Sequence, residues 1–267
     1  MNEYLNYAIE ANLALLTTLL FYVVLFKNET QFDFKRGYLL ASISSSLLFP
    51  LFKVQTLSSF IPSISEVMSI YLLPELVIRE GEIIKATSST ISIGYLLNWI
   101  YITVSAGLFI RLLIKLSQIY LFLRKSDSCL VKGKFKIIES NADLPTFSFF
   151  NYIFIGNVSS LSKGETDQII KHETTHVNHL HSLDILLVEF LKIIFWFNPA
   201  VYYLKSEITS IHEFQADELA IDNRDVNQYC NLLARVALQS ADYPIANHFN
   251  NSLTLKRIAM MKTTKQN

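Results

Sequence analysis

The chain has 267 residues, of which 51% are hydrophobic and only 17% are charged, and its mean hydropathy is +0.31. This composition is too apolar for an ordinary soluble domain, so part of the surface is expected to face lipid. The formal net charge is zero, which argues against nucleic acid as a direct partner.

Three apolar stretches in the first half predict transmembrane helices at about 8–26, 37–52 and 91–114. The third is the clearest, because Ile91 to Ile110 contains no charged residue and about 20 residues cross the hydrocarbon core. No basic residue precedes the first stretch and no small-residue cleavage signal follows it, so this stretch is predicted to be retained. The transmembrane region is therefore predicted to occupy residues 1–116.

Basic residues follow the first and third stretches, and cytoplasmic loops carry an excess of such residues. Those after the first stretch are Lys27, Lys35 and Arg36. Those after the third are Arg111, Lys115, Arg124, Lys125, Lys132, Lys134 and Lys136. The loop 53–90 carries four glutamates, as an external loop can. The N-terminus is therefore predicted to lie outside, and residues 117–267 in the cytoplasm.

After the third stretch the pattern becomes that of an α+β domain. Two runs, Phe135 to Glu139 and Phe147 to Ile155, are typical of strands, and a turn is predicted between them at Asn141 to Pro145. Ser162 and Glu165 form an S-x-x-E capping box that predicts a helix ending near Leu180. Further helices are predicted at Asp184 to Phe197, Ser206 to Ile221 and Val226 to Gln239.

The first of these predicted helices contains the motif H-E-x-x-H, as His172-Glu173-Thr174-Thr175-His176. Residues four apart share a helix face, so both imidazoles can point at one zinc ion. Glu173 then lies beside the open coordination position, where it can activate the attacking water. His179 and His181 are predicted to be rim or core histidines rather than ligands.

A catalytic zinc site normally has three protein ligands and a water, and the third ligand is predicted among the residues after Ser206. Glu213 and Asp217 are one helical turn apart, so one carboxylate can bind zinc while the other accepts the free N–H of a ligating imidazole. His212 and Glu218 point in other directions and are predicted to lie on a solvated face.

The apolar run Ile185 to Phe197 separates the two halves of this predicted site. If the run crossed the bilayer, Glu213 would emerge on the side opposite His172. Charged residues within and beside the run disfavour crossing. It is therefore predicted to be a core helix or one lying against the inner leaflet, broken at Asn198-Pro199.

The order of motifs supports a family resemblance. The H-E-x-x-H motif is followed by His181-Ser182-x-Asp184, Phe195-Trp196-Phe197-Asn198-Pro199 and His212-Glu213-x-x-Ala216-Asp217-Glu218. Taken together, these motifs resemble the BlaR/MecR-type family of bacterial membrane peptidases over about Lys132 to Met260. Phe147-Ser148-Phe149 and Ile153-Phe154-Ile155 are similar to the strand that precedes the helix in that family.

The resemblance implies a mainly α membrane protein, with three N-terminal transmembrane helices and an α+β, gluzincin-like (zincin-like) peptidase domain with a small β-sheet. It implies one zinc ion per chain held by His172, His176 and Glu213, with Glu173 as catalytic acid and base and Asp217 supporting a ligand. The implied location is the bacterial cytoplasmic (inner) membrane.

The resemblance also implies signalling by proteolysis, as in regulators of antibiotic resistance, through self-cleavage or cleavage of a cytoplasmic repressor. Many family members continue into a further span and an external sensor domain, whereas this sequence stops at Asn267. We therefore expect either that this sequence is a fragment of a longer chain that contains such a segment, or that the protein relies on a separate sensor.

The substrate is expected to be an unfolded or locally melted protein segment. The run containing Phe147, Ser148 and Phe149 is predicted either to bind it by edge addition or to be an ordinary core strand. One alternative function is a membrane quality-control or processing peptidase. Another is a non-catalytic receptor module with structural zinc, which an intact Glu173 disfavours.

Overall fold

The computed structural model describes residues 2–52, 93–125, 129–132, 134–139, 146–156, 161–221, 226–239 and 247–264. The predicted external loop at 53–90 and the predicted turn at 141–145 lie outside these residues. The N-terminal helices are α1 (Asn2–Phe21), which continues as a π-helix (Tyr22–Phe26), and α2 (Phe32–Leu48), which continues as a 3₁₀ turn (Phe49–Leu51). Helix α3 covers Ile93–Lys125.

Within the described residues, two helical segments are long and apolar enough to cross a membrane: 6–26 and 94–124. The predicted second span at 37–52 is wrong. Helix α2 begins at Phe32 and its first turns carry Asp33, Lys35 and Arg36. From Gly37 onward, the uncharged part of α2 and the 3₁₀ turn that continues it reach about 24 Å, less than the roughly 30 Å of the hydrocarbon core.

A small sheet follows α3, with strands β1 (Cys129–Lys132), β2 (Phe135–Glu139), β3 (Phe147–Phe149) and β4 (Tyr152–Ile155) in the order β1-β2-β4-β3. Strand β4 pairs parallel with β2 and antiparallel with β3. The predicted strand at β2 is confirmed. The predicted single strand from Phe147 to Ile155 is wrong, because the chain reverses at Phe150 and Asn151. Phe150 adopts a φ of 48°, which is uncommon for a bulky residue.

The remaining helices are α4 (Lys163–Asn178), α5 (His181–Ile194), α6 (Pro199–Ile221), α7 (Val226–Gln239) and α8 (Asn247–Thr264). Both hydrogen bonds of the predicted capping box form at Ser162 and Glu165. The predicted start of α6 at Ser206 is wrong: Asn198 Oδ1 accepts the N–H of Ala200 at 2.8 Å, and the helix begins at Pro199. Helix α8 was not predicted from the sequence.

One hydrophobic core joins the N-terminal helices to the helices of the predicted peptidase domain. Its buried members come from α1, α2, α5 and α6 and include Ala11, Leu15, Leu19, Leu39, Ile43, Val188, Leu191, Val201, Leu204, Ile208 and Ile211. Polar contacts also tie these helices together, since Tyr22 Oη donates to Glu207 Oε2 at 3.0 Å. The π-helix that continues α1 is thereby held against α6.

Helix α3 packs against the end of α5. Tyr101 Oη and Ser105 Oγ donate to the carbonyls of Ile194 and Ile193, both at 3.1 Å. Elsewhere α3 exposes large apolar side chains, among them Leu96, Leu97, Trp99, Ile100, Phe109 and Ile110. Such a continuous apolar surface is suited to lipid rather than to water.

Candidate metal centre

Three potential metal ligands meet where α4 packs against α6. His172 and His176 lie four residues apart on one face of α4, and their Nε2 atoms are 3.1 Å apart. The carboxylate of Glu213, from α6, lies 3.6 Å from His172 Nε2 and 3.7 Å from His176 Nε2. The three ligand atoms all lie within 4.8 Å of one another. The structure thus brings together the residues predicted to bind zinc.

This donor set fits a zinc ion. Tetrahedral coordination with bonds of about 2.0–2.2 Å separates ligand atoms by about 3.3–3.6 Å, and the observed separations of 3.1, 3.6 and 3.7 Å lie around that range. Two imidazoles and one carboxylate are typical of catalytic sites, which keep a fourth position open. Structural zinc sites usually use four ligands rich in cysteine.

Glu173 lies between the two histidines in the sequence. Its side chain is buried and faces the hairpin of β3 and β4. The hydroxyl of Ser148, in β3, donates a hydrogen bond to its carboxylate. Burial raises the pKa of Glu173, and the neighbouring His172 and the Ser148 hydrogen bond only partly offset this effect. The carboxylate is therefore a better proton acceptor than an exposed glutamate.

The three residues predicted to contact substrate lie in β3, which is the last strand in the described sheet order. Ser148 contacts Glu173, whereas the ring of Phe147 stacks on Phe154 with centroids 4.5 Å apart. The ring of Phe149 meets Phe150 edge to face. Only Ser148 thus touches the predicted catalytic carboxylate among these three.

Two groups contact His172 at Nδ1, the ring nitrogen that does not face the other metal ligands. Its Nδ1 lies 3.2 Å from Asp217 Oδ1 and 3.2 Å from Tyr229 Oη. Tyr229, from α7, donates to Asp217 at 3.0 Å. The predicted pairing of Asp217 with an imidazole therefore forms. Tyr229 was not predicted, because no local pattern links α7 to the motifs.

Arg257, from α8, joins the two carboxylates of α6. Its Nη1 lies 2.9 Å from Glu213 Oε2, and its Nε and Nη2 donate to Asp217 at 2.8 and 2.6 Å. This forked pairing matches the planar geometry of guanidinium and carboxylate. The sequence prediction missed Arg257, since its partners lie 40 and more residues away.

Replacing Arg257 with alanine is expected to destabilise the metal-free protein strongly. Asp217 has a fully buried side chain, and breaking a buried ion pair costs about 3–5 kcal/mol. That cost corresponds to a fall of about 6–20 °C in Tm for a chain of this size. Thermal denaturation with chelator present measures the loss.

The matched control for this variant is Arg235→Ala, which removes a surface ion pair with Glu165. Exposed pairs contribute about 0–1 kcal/mol, so the control should melt close to the wild type. Equal melting temperatures for the two variants would refute a structural role for Arg257.

The pKa values of the two imidazoles are shifted in opposite directions. Burial alone would lower the pKa of His172, but its hydrogen bonds with Asp217 and Glu213 raise that pKa to about 9. Burial and the charge of His172 lower the pKa of His176 to about 3. Burial opposes ionisation of Glu213, yet the charge of Arg257 and its contact with His172 hold its pKa well below the usual range. A metal would thus displace one proton, from His172.

The other histidines near the centre occupy rim and core positions. His179 caps the end of α4, and His181 is buried at the start of α5, as predicted. Glu218 is exposed, but the predicted solvated position of His212 is wrong. His212 is buried, and its Nε2 lies 2.8 Å from Asp184 Oδ2. Helix α6 is covered on this side by α5, which the motif spacing did not indicate.

Comparison with known protein families matches residues 53–261 to the family described as BlaR1 peptidase M56. The match covers more than half of the chain and includes all the residues of the candidate centre. No curated protein matches the chain.

Proposed function

The chain belongs to the BlaR1 peptidase M56 family, and from that premise we propose that it is a zinc metalloendopeptidase. Family membership and two candidate membrane-spanning helices support a membrane-associated metallopeptidase. The observation that carries the finer proposal is the meeting of His172, His176 and Glu213 within 4.8 Å of one another, near enough to the buried Glu173 carboxylate for His172 and Glu213 to shift its pKa.

In the proposed reaction His172, His176 and Glu213 hold one zinc ion, which would polarise the scissile carbonyl and lower the pKa of water. Glu173 accepts a proton from the attacking water and passes it to the leaving amine. The Ser148 hydroxyl orients the Glu173 carboxylate. Asp217 accepts the N–H of His172 Nδ1, which leaves His172 Nε2 free to bind the metal.

The proposed substrate is an extended protein segment that pairs with β3. The described partner of β3 is β4 on one side, and Ser148 in β3 touches Glu173. A strand added at the other edge, where no described strand pairs with β3, would bring its backbone past the catalytic carboxylate. Phe147 and Phe149 would flank that segment as side-chain contacts.

The proposed role is signal transduction by self-cleavage or by cleavage of a cytoplasmic repressor, and the proposed partner is a separate sensor domain or protein. The resemblance of the ordered motifs to the BlaR/MecR-type peptidases is the ground for this role, whereas the family description names only the peptidase. Quality-control or processing proteolysis would use the same centre, and substrate profiling separates the two roles. A purely structural zinc module has no use for the buried Glu173.

The proposed topology puts the N-terminus outside and residues 117–267 inside the bacterial cytoplasmic membrane. The basic residues that follow the two candidate spans support this orientation. Both basic flanks can be cytoplasmic only if the chain crosses the membrane once more between them, so the proposed topology requires a further crossing that the described residues do not supply. Helix α5 has 14 residues and reaches about 21 Å, too short for the hydrocarbon core. His172 and Glu213 can then lie on one side of the membrane.

Cysteine labelling in intact cells tests this topology. In a background without Cys129 and Cys230, single cysteines at positions 163 and 223 should both resist a membrane-impermeant thiol reagent. A cysteine replacing Glu80 should react, as the control for an external position. Labelling of position 223 but not of position 163 would mean that the chain crosses the membrane between His172 and Glu213, and the proposed centre would be wrong.

A further inference from the structure

A chain of side-chain contacts connects His176 Nδ1 to helix α2. His176 Nδ1 lies 2.7 Å from His181 Nδ1. The ring of His181 lies parallel to that of His212, with centroids 3.8 Å apart and planes 6° apart. His212 Nε2 lies 2.8 Å from Asp184 Oδ2, which also accepts from Arg36 Nε at 2.7 Å. Arg36 belongs to α2, whereas the other residues belong to α4, α5 and α6.

The direction of one hydrogen bond decides whether His176 can bind a metal. A neutral imidazole carries one proton, so His176 Nε2 is available only when the proton sits on Nδ1. In that state His176 Nδ1 donates to His181 Nδ1, and His181 must carry its own proton on Nε2. That Nε2 is buried, with no hydrogen-bond partner in the described residues. Apart from its bond with His176, the ring of His181 is therefore held by its packing.

The packing that holds His181 depends on Asp184 and Arg36. The N–H at His212 Nε2 donates to Asp184, which fixes the plane of the His212 ring against His181. Arg36 binds Asp184 through Nε and the backbone carbonyl of His179 through Nη2 at 2.5 Å. The guanidinium thus contacts His179 and Asp184, which lie before and after His181 in the sequence. Arg36 is the only α2 residue in this chain of contacts.

Two neighbouring contacts place the start of α2 against the residues of α6 that follow the proposed metal ligand Glu213. The rings of Phe32 and Phe214 lie 5.3 Å apart, and Gln215 donates to Asp33. Phe214 and Gln215 directly follow Glu213 in sequence. A shift of α2 would therefore be felt at both sides of the metal centre.

We propose that Arg36 is a positioning residue for the metal ligand His176, acting through Asp184, His212 and His181. The inference rests on the proposed zinc centre and extends it to the helix that follows the first candidate span. Groups that support a metal-binding imidazole typically change metal affinity 10–100-fold. Here the supporting group is itself an imidazole, held in place by a cation on the neighbouring helix α2. Zinc affinity is therefore coupled to the position of α2.

Zinc affinity of the detergent-solubilised full chain tests the proposal, measured by competition with a chelating indicator. Replacing His181 with leucine, which cannot accept a hydrogen bond, should weaken zinc binding about 10–100-fold. His181→Asn should recover much of this loss, because an amide oxygen can lie where Nδ1 lies in histidine. Arg36→Ala should weaken binding about 2–30-fold, the range of coupling through neighbouring residues. Arg235→Ala, which removes a surface arginine, should leave zinc affinity unchanged.

A double-mutant cycle distinguishes positioning from a merely structural role. If Arg36 acts through His181, Arg36→Ala should weaken zinc binding far less in the His181→Leu background than in the wild type. Arg36→Lys keeps the charge but not the forked contact, so it replaces Arg36→Ala if that variant fails to fold by circular dichroism. Additive losses, or an Arg36 variant that binds zinc like Arg235→Ala, would overturn the inference. A wild-type chain that binds no zinc would instead overturn the proposed centre itself, and the inference with it.

Discussion

Glu173→Gln is expected to lower peptide hydrolysis by about two to four orders of magnitude, the usual contribution of a positioned general base. Glutamine has the same shape and can still accept the hydrogen bond of Ser148, but it cannot take a proton from water. Zinc content and helical content should therefore stay close to wild type. The measurement is the rate of self-cleavage or of cleavage of an unfolded protein by the membrane-reconstituted chain, with the products identified by mass spectrometry.

The control for this variant is Glu218→Gln, which changes an exposed carboxylate on α6 and should leave the rate unaltered. If Glu173→Gln cleaved at the wild-type rate, the base would have to be another group. A rate loss accompanied by loss of zinc would give Glu173 a role in metal binding instead.

Glu213→Ala is expected to remove both zinc and activity. The variant leaves two imidazoles, fewer than the three protein ligands of a catalytic zinc site. It also leaves Arg257 without one of its two carboxylates, so a cation then faces the metal position with less compensation. Elemental analysis after purification without added zinc measures the loss. Glu218→Ala serves as the matched control on the same helix.

Retention of one zinc per chain in Glu213→Ala would contradict the assignment of Glu213. Circular dichroism and the melting temperature guard against a trivial result, because a misfolded variant would lose its metal for another reason. The Asp217 pairing with Arg257 is independent of the Glu213 side chain, which favours a folded variant.

The core of the candidate centre could be predicted from sequence because its geometry is local. His172 and His176, and likewise Glu213 and Asp217, are one helical turn apart, so helix periodicity alone puts each pair on one face. The capping box at Ser162 similarly predicts the start of α4, and both of its bonds form. The spacing of the motifs does not predict how α4 and α6 pack against each other. The structure shows that they pack with the two pairs of residues facing each other.

The supporting residues could not be predicted, because they are joined only by tertiary packing. Tyr229 and Arg257 come from α7 and α8 and reach the centre across long stretches of chain. His212 was assigned to a solvated face, but α5 covers it. Each of these residues sits in a pattern that an ordinary amphipathic helix would also show.

Two errors in the predicted fold have similar causes. The second predicted span was placed by apolar and serine-rich composition, but α2 begins earlier, at charged residues that contact the peptidase helices. The single predicted strand became a hairpin because Phe150 occupies a left-handed turn position that glycine or asparagine usually fills. An aromatic residue gives no sequence signal of such a turn.

X-ray absorption spectroscopy of the purified, zinc-loaded chain tests the central claim most directly. The proposed centre predicts one zinc per chain with nitrogen and oxygen ligands at about 2.0–2.2 Å, including the outer-shell scattering of two imidazoles. It predicts no sulfur ligand near 2.3 Å, although Cys230 lies buried in α7 beside Tyr229. A zinc–sulfur distance, or a spectrum with no imidazole scattering, would contradict a centre built from His172, His176 and Glu213.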